Sequence, residues 1–396
     1  MPKSKIKSKT KEIPGYNLAK IKVIGIGGAG CNAISRMIGI LPRAIEIIAI
    51  NTDLQDLNCT PAKKKIQIGR NITKGLGTGM NTDLGRQAAE ENHSEIAEVL
   101  QGADMIFITG GLGGGTCTGA APIVAEIAKE MGILTVAVVT KPFTFEGTKR
   151  NQIAEEGAVQ LRDRVDTIIF IPNDRILSLI DKNTSLMKAF EAIDEILKNS
   201  VLGITELITI PGTINIDFAD VKAIMEDGGP AIMGIGVASG SNRSLTAAKL
   251  AVNSPLLENS LEGAKAVLLN IAGHRDLKMS EVNEIAKLVA ESADAGARII
   301  LGTHYDRKLR KGQIKVLLIA TGFDGGGLSR GSQVPTGLFT SKINEVRKES
   351  EEEKPQNLKE FTLFEKKNGL DKFKRRSKEE VWDIPAFLRK KRRKSH

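Results

Sequence analysis

From Ile21 onward the chain alternates short apolar runs with longer mixed stretches. The runs at 21–26, 45–51, 104–109, 133–139 and 167–171 are rich in Ile and Val. They carry little polar alternation, so they read as strands buried on both faces. The stretches at 30–40, 83–101, 117–131 and 147–162 read as the helices between them. Strand, helix, strand in series predicts a mainly parallel sheet with helices on both faces. A longer stretch at 185–203 places Leu186, Ala189, Phe190, Ile193, Ile196, Leu197 and Val201 three and four residues apart. That spacing gives one buried stripe and reads as a strut between two domains. Beyond it, strands are predicted at 231–238, 265–271, 297–302 and 314–320, and helices at 218–227, 243–252 and 280–294.

The pattern fades after Gly325-Gly326-Gly327. Residues 328–378 are rich in Lys, Glu and Ser and read as a flexible linker. A last apolar island, Val381 to Leu388, precedes an unbroken basic run from Arg389 to Lys394. The predicted fold class is therefore α/β: a Rossmann-like parallel-sheet domain, a central helix, then a smaller α+β domain, with disordered tails. The expected boundaries are a basic N-terminal tail at 1–19, the sheet domain at 20–184 and the central helix at 185–204. The second domain follows at 205–325, a linker at 326–378 and a terminal peptide with its basic run at 379–396.

Two glycine-rich loops sit at strand ends about 85 residues apart. One follows Ile21–Ile24 as Gly25-Ile26-Gly27-Gly28-Ala29-Gly30, and the other follows Met105–Thr109 as Gly110-Gly111-Leu112-Gly113-Gly114-Gly115-Thr116-Cys117-Thr118-Gly119. Glycine lets backbone approach a phosphate closely, and a helix N-terminus supplies free N–H groups and a positive dipole end. One such loop is weak evidence. Two in one α/β domain point to a long polyphosphate gripped from two sides. Neither loop has the lysine of the GxxxxGK[ST] pattern. The first loop alone also suits a Rossmann dinucleotide site, with Asp53, 23 residues beyond Gly30, on a ribose. Such a site has no need of the second loop. A third cluster, Lys74 to Gly79, is either a further loop over the same site or a surface turn.

Charge changes the picture less than the total of +10 suggests. Residues 1–20 hold six Lys against one Glu, and residues 372–396 hold eleven basic residues against three acids, which leaves the body at −3. Two basic tails on a mildly acidic body do not mark nucleic acid as the primary ligand. They read as solvated ends or as segments that touch anionic lipid or an acidic partner. Cys31, Cys59 and Cys117 form no CxxC, which fits a reducing cytosol. No apolar run approaches the roughly 18 residues a membrane helix needs, the start of the chain lacks a signal-peptide pattern, and the His and Cys residues form no metal cluster.

Several polar residues carry two readings each. Asp217 and Asp220 fall on one face of a helix start, either as a cap with a first-turn acid or as a carboxylate pair that polarises water or helps hold a cation. Glu146 and Arg150 are spaced as an i,i+4 ion pair. Asn173 lies at the carboxyl end of a strand, as a turn residue or a ligand. Asp194 on the strut helix reads, taken alone, as a solvated acid.

Three motifs in one order carry a resemblance: Gly113-Gly114-Gly115-Thr116-x-Thr118-Gly119, then Asn215-x-Asp217-Phe218-Ala219-Asp220, then Asp383-Ile384-Pro385-Ala386-Phe387-Leu388-Arg389. Together they resemble the tubulin-like cell-division GTPases, the family of bacterial FtsZ, over about residues 20–325 and again at 381–390. The resemblance implies a GTP-dependent polymerising protein of bacterial cell division that assembles head-to-tail into filaments at the division site (the Z ring) and hydrolyses GTP at a site shared between subunits; a tubulin-like GTPase of another role, in plasmid segregation or regulation, is the alternative. It implies that Gly27, Gly28, Ala29, Gly30, Cys31, Asn32 and the loop Gly113, Gly114, Gly115, Thr116 hold the phosphates. Glu146 and Arg150 would lie near the ribose and sugar–phosphate end. Asn173 and Asp194 would read the base, with Arg36 beside it and Phe190 in the same set. Guanine presents adjacent N–H donors, which a carboxylate accepts together, whereas adenine would leave Asp194 unpaired.

Asn215, Asp217 and Asp220 would enter the next subunit's site, and such a heterologous contact builds open filaments. GTP/GDP is the expected nucleotide, with Mg2+ bound mainly through its phosphates. The expected partners are further copies of the chain, and membrane-tethering and regulatory division proteins on Asp383, Ile384, Pro385, Phe387, Leu388 and Arg389. Weak anionic-lipid contact by the basic run is also expected. The implied location is the cytoplasm, at mid-cell on the inner face of the membrane. Cys117 stands where the family signature has glycine, and Ala29 and Cys31 where the first loop commonly has it.

Overall fold

The computed structural model describes residues 19–42, 44–177, 184–257, 260–306 and 308–323. The tail at 1–18 and everything from 324 on lie outside the described residues. That includes the linker and the partner-binding positions Asp383, Ile384, Pro385, Phe387, Leu388 and Arg389.

The elements follow in the order β1 (Ile21–Ile26), α1 (Gly27–Met37), β2 (Glu46–Asn51), α2 (Leu54–Cys59), β3 (Lys64–Gln67), α3 (Arg70–Thr73), α4 (Thr82–Glu91) and α5 (His93–Leu100). Then come β4 (Met105–Gly111), α6 (Gly115–Glu130), β5 (Leu134–Lys141), α7 (Thr148–Arg162), β6 (Thr167–Pro172), α8 (Asn173–Leu177) and the long α9 (Leu186–Thr209). The remainder is α10 (Phe218–Met225), β7 (Gly229–Ser239), α11 (Arg243–Val252), β8 (Ala266–Gly273), α12 (Met279–Ser292), β9 (Arg298–Tyr305) and β10 (Gln313–Thr321).

The strands lie in the order β3-β2-β1-β4-β5-β6-β7-β10-β8-β9. The first six pair parallel throughout. Their order, 3-2-1-4-5-6, is that of a doubly wound sheet, and it reverses between β1 and β4. Ile26 there faces Gly110 in register, so the two glycine loops, far apart in the chain, leave the sheet side by side. β7 joins β6 through only three residue pairs, and β10 runs antiparallel to both β7 and β8. The second half is thus mixed, as an α+β arrangement requires.

Helix α9 starts at Ser185, whose hydroxyl accepts from the Lys188 N–H. It runs six residues past the predicted end because Ile204 and Leu207 continue its buried stripe. Its apolar face belongs to a core that also takes Val23 and Ala33 from β1 and α1, Val136 from β5, and Leu268 and Leu317 from β8 and β10. One apolar core therefore runs along the strut into both halves of the sheet. The opposite face of the first half is closed by α4, α5, α6 and α7, and the second half has its own cluster under α11 and α12.

The predicted helix at 83–101 is two helices. Asn92 interrupts it, because its side chain accepts from the Gly69 N–H at 2.9 Å and donates to Glu95 at 2.9 Å. Asn competes with helix backbone in this way. The short α2, β3, α3 and α8 were not predicted, since four to six residues hold too little periodicity to register.

Candidate functional site

Helices α1 and α6 begin without a capping side chain and without an acid in the first turn. Their first N–H groups have no partner inside the helix, and both dipoles point their positive ends at the same crevice. The two starts touch. Gly27 has a φ of +69°, which only glycine adopts freely, and a β-carbon there would lie 3.3 Å from the Cys117 backbone nitrogen. Gly28, Ala29 and Asn32 face outward on this edge, while Gly30 and Cys31 are buried. The Cys31 thiol points into the core toward Asn51, 3.8 Å away. Only its main chain can serve a phosphate.

Cys117 is accommodated by its neighbour. It sits inside α6, where a side chain meets no backbone penalty, and its sulfur occupies the space a β-carbon on Gly110 would take. Burial pushes the Cys117 thiol up to about 12 and the Cys31 thiol up to about 11. Both are protonated and inert at neutral pH.

The second loop is tied down by hydroxyls. Thr118 Oγ1 accepts from the Gly113 N–H at 3.0 Å. Thr116 Oγ1 is 2.9 Å from Thr52 Oγ1 and 3.3 Å from Thr78 Oγ1. Thr78 belongs to the third glycine cluster, so that segment lies against the second glycine loop and is not a free surface turn. Thr52 and Thr78 were missed as site residues. Nothing local in the sequence marks a hydroxyl whose partner is 64 or 38 residues away. Asp53, the acid of the dinucleotide alternative, caps α2 by accepting from the Gln55 and Asp56 N–H groups.

The rim is formed by the ends of β5 and β6 and by α9. Arg150 lays its stem over Gly113, and its Nη1 pairs with Glu146 at 3.0 Å while its Nε is buried without a partner. Glu146 also accepts from the Phe143 N–H at 2.9 Å. Phe143 stacks on Phe145 and meets the edge of Phe190, 5.8 Å between ring centres. Phe190 is 44% exposed on α9, an apolar ring left open beside the rim. One turn on, Asp194 accepts from Arg36 Nε of α1 at 2.7 Å. Burial pushes its carboxyl up to about 6 against the pull of Arg36. Asn173 opens α8 at the end of β6, buried, with its Oδ1 lacking any partner. An unpaired buried acceptor and an unpaired buried arginine nitrogen suit a site shaped for a polar ligand.

The three acid-motif residues lie elsewhere. Asn215 Oδ1 accepts from the Gly212 N–H at 2.6 Å. Asp217 caps α10 by accepting from the Asp220 N–H at 2.8 Å, and Asp220 accepts in return from the Asp217 N–H. All three are exposed. Among the described residues, no hydrogen bond or ion pair joins them to the glycine loops. The capping geometry is thus present, and both carboxylates still face solvent.

Residues 20–181 match the model of the Tubulin/FtsZ family GTPase domain, and residues 229–324 match the FtsZ family C-terminal domain. An FtsZ dimer from M. jannaschii, solved empty, is 47% identical, covers 77% of this chain and 88% of that one, and superposes with a TM-score of 0.73. The chain belongs to the tubulin/FtsZ family. A mutant of the M. jannaschii FtsZ matches at 46% identity over 77% of this chain and 91% of that one, with a TM-score of 0.74. CetZ2 from Haloferax volcanii, solved as a GTPγS-bound protofilament, shares the fold at 24% identity and a TM-score of 0.67, covering 77% of this chain and 94% of that one. As a tubulin/FtsZ-family GTPase the chain binds GTP and GDP and hydrolyses GTP to GDP and phosphate. The oxidoreductase alternative falls with that. Among the described residues no helix is long and apolar enough to cross a membrane.

Proposed function

We propose that this GTPase is a filament-forming protein of cell division that hydrolyses GTP only where two copies meet. The observation that carries the reading is a separation. Two helix starts with no acid in their own first turns converge on one crevice, while the exposed acids of α10 lie apart from it. In this reading residues 20–184 form the GTP-binding part and residues 205–325 complete the site of the next copy. The phosphates lie against Gly27, Gly28, Ala29, Gly30, Asn32 and Gly113 to Thr116. Arg150 and Glu146 hold the sugar–phosphate end, and Asn173, Phe190 and Asp194 hold guanine.

The chemistry follows from charge. Backbone N–H groups aimed at the phosphates stabilise negative charge as the terminal phosphoryl leaves. A carboxylate beside those phosphates would be repelled without a water between them. Asp217 and Asp220, delivered by a second copy with Asn215, orient that water and take up its proton as it attacks the γ-phosphorus. The bond to the β-phosphate oxygen breaks, leaving GDP and inorganic phosphate. Mg2+ would travel with the phosphates and neutralise part of their charge. The head-to-tail contact does not close on itself, so it propagates.

The terminal peptide Asp383 to Arg389 is assigned to membrane-tethering and regulatory division proteins, at mid-cell on the cytoplasmic face of the membrane. The adjoining basic run adds weak contact with anionic lipid. The test of the shared site is GTP turnover per subunit against protein concentration, followed with light scattering. Turnover that rises with assembly supports it. A rate that stays constant well below the onset of scattering overturns it.

A further inference from the structure

The carboxylate of Asp194 is only 14% exposed and, among the described residues, is faced by two charged groups: Arg36, reaching over from α1, and Glu191, one turn earlier on α9. Arg36 Nε donates to Asp194 Oδ2 at 2.7 Å, and its Nη1 lies 3.7 Å from Glu191 Oε1. Among the described residues no further charged group perturbs the Asp194 carboxyl; the other charges of this rim, Glu146 and Arg150, pair with each other. One guanidinium therefore bridges two acids and fixes the rotamer of the buried one. To accept both N–H donors of guanine, the acid must be ionised, because a protonated carboxyl turns one acceptor into a donor. A carboxylate offers about four lone-pair sites, so Oδ2 can accept from Arg36 and from a base together.

We propose that Arg36 is a specificity-determining positioning residue: its ion pair keeps Asp194 charged and aimed, so that both carboxylate oxygens accept from guanine. This rests on the reading of Asp194 as the base acceptor. Burial alone drives this carboxyl toward neutrality; Arg36 opposes that drive and Glu191 adds to it. The direction of every perturbation follows. Removing the arginine charge raises the pH at which Asp194 ionises, and guanine binding then fails at a higher pH than in the native protein. Removing the glutamate charge lowers that pH.

The experiment measures GDP and ADP affinity of the full chain from pH 5.5 to 8.5, for the native protein, Arg36→Gln, Arg36→Lys, Glu191→Gln and Asp194→Ala. The terminal phosphate titrates alike in all of them, so differences between variants isolate the protein group. For Arg36→Gln the midpoint of GDP binding should move up by about one unit or more, the low end of the effect of an adjacent arginine. That corresponds to a loss of about fivefold at pH 6, shrinking to about twofold at pH 7 and vanishing by pH 8.5. Arg36→Lys should restore the native midpoint in large part, and Glu191→Gln should move it down. The glutamate variant carries the test if Arg36→Gln folds poorly. An unchanged midpoint in Arg36→Gln, or tighter GDP binding, which would mean that Arg36 competes with the base, overturns the inference. A preference for GDP over ADP that survives Asp194→Ala overturns the base-site reading itself. A preference lost in Asp194→Ala beside an unmoved Arg36→Gln midpoint overturns the Arg36 inference alone.

Discussion

Helix starts are used in two opposite ways in this molecule. α1 and α6 begin on glycine, with no cap and no acid. α10 begins on Asp217 with Asp220 three residues on, each carboxylate accepting the other's backbone N–H. A capped start is locally satisfied and stabilises its own helix. An uncapped start is locally deficient, and the deficiency becomes a binding site when two such starts face one crevice. The contrast separates groups that build the fold from groups left free for a ligand, and α10 is informative because it does the first while its acids remain in reach of solvent.

The most direct way to break the comparison is to give α1 the acid it lacks. Ala29→Asp places a carboxylate in an exposed first turn. A helix gains about 0.3–1 kcal/mol from such a charge, so thermal stability without nucleotide should hold or rise slightly. GTP affinity should fall by about 100-fold or more, since the same charge now opposes the phosphates. Equilibrium binding beside a melting curve reads both. Unchanged affinity would refute an anion site at α1.

The next test removes charge from α10 while keeping its cap. Asp217→Asn can still accept the Asp220 N–H, so stability should change little, whereas Asp217→Ala should cost about 1 kcal/mol. Both should lower GTP turnover by about 100-fold, in the range of a lost acid–base group, with nucleotide affinity within about twofold. Mixing either variant with native subunits should depress turnover. Native turnover in Asp217→Asn would leave the motif as a cap alone.

A smaller effect is expected at the junction of the loops. Gly110→Ala drives a β-carbon into the Cys117 sulfur and should cost about 1–3 kcal/mol by overpacking. Cys117→Gly in the same chain should recover only part of it, because the Ile26 carbonyl oxygen also lies 2.8 Å from that β-carbon, with denaturant titration as the readout. The least effect is expected from thiol chemistry. Native protein should take up a maleimide at the exposed Cys59 alone, because Cys31 and Cys117 are buried and held as thiols. Fast labelling of three sites without unfolding would contradict that.

Much of the frame could be read along the chain. The strands at 21–26 and 167–171 fall where Ile21–Ile26 and Thr167–Pro172 are found, and the helix at 243–252 is Arg243–Val252. Long periodic segments carry their own signal. Segments whose ends depend on a single side chain do not. Asn92 splits a predicted helix by bonding to Gly69, and α1 starts at Gly27, three residues before the predicted helix, because glycine hides a helix start. Glu146 with Arg150 was legible from spacing alone. Arg36 with Asp194, 158 residues apart, was not.

The sequence by itself determined the alternation of elements, the two loops free of lysine, and the pair of acids at a helix start. Each rests on neighbours within a few residues, where propensity and periodicity act. The tertiary structure decided that β1 and β4 are adjacent, so that two weak glycine motifs become one crevice. It also decided that Thr52 and Thr78 meet on Thr116, that Asp53 is consumed as a cap, and that the Asp194 carboxyl is buried against Arg36. These depend on strand order and on which helix crosses which, and strand order is set by the burial of whole faces rather than by any local run of residues.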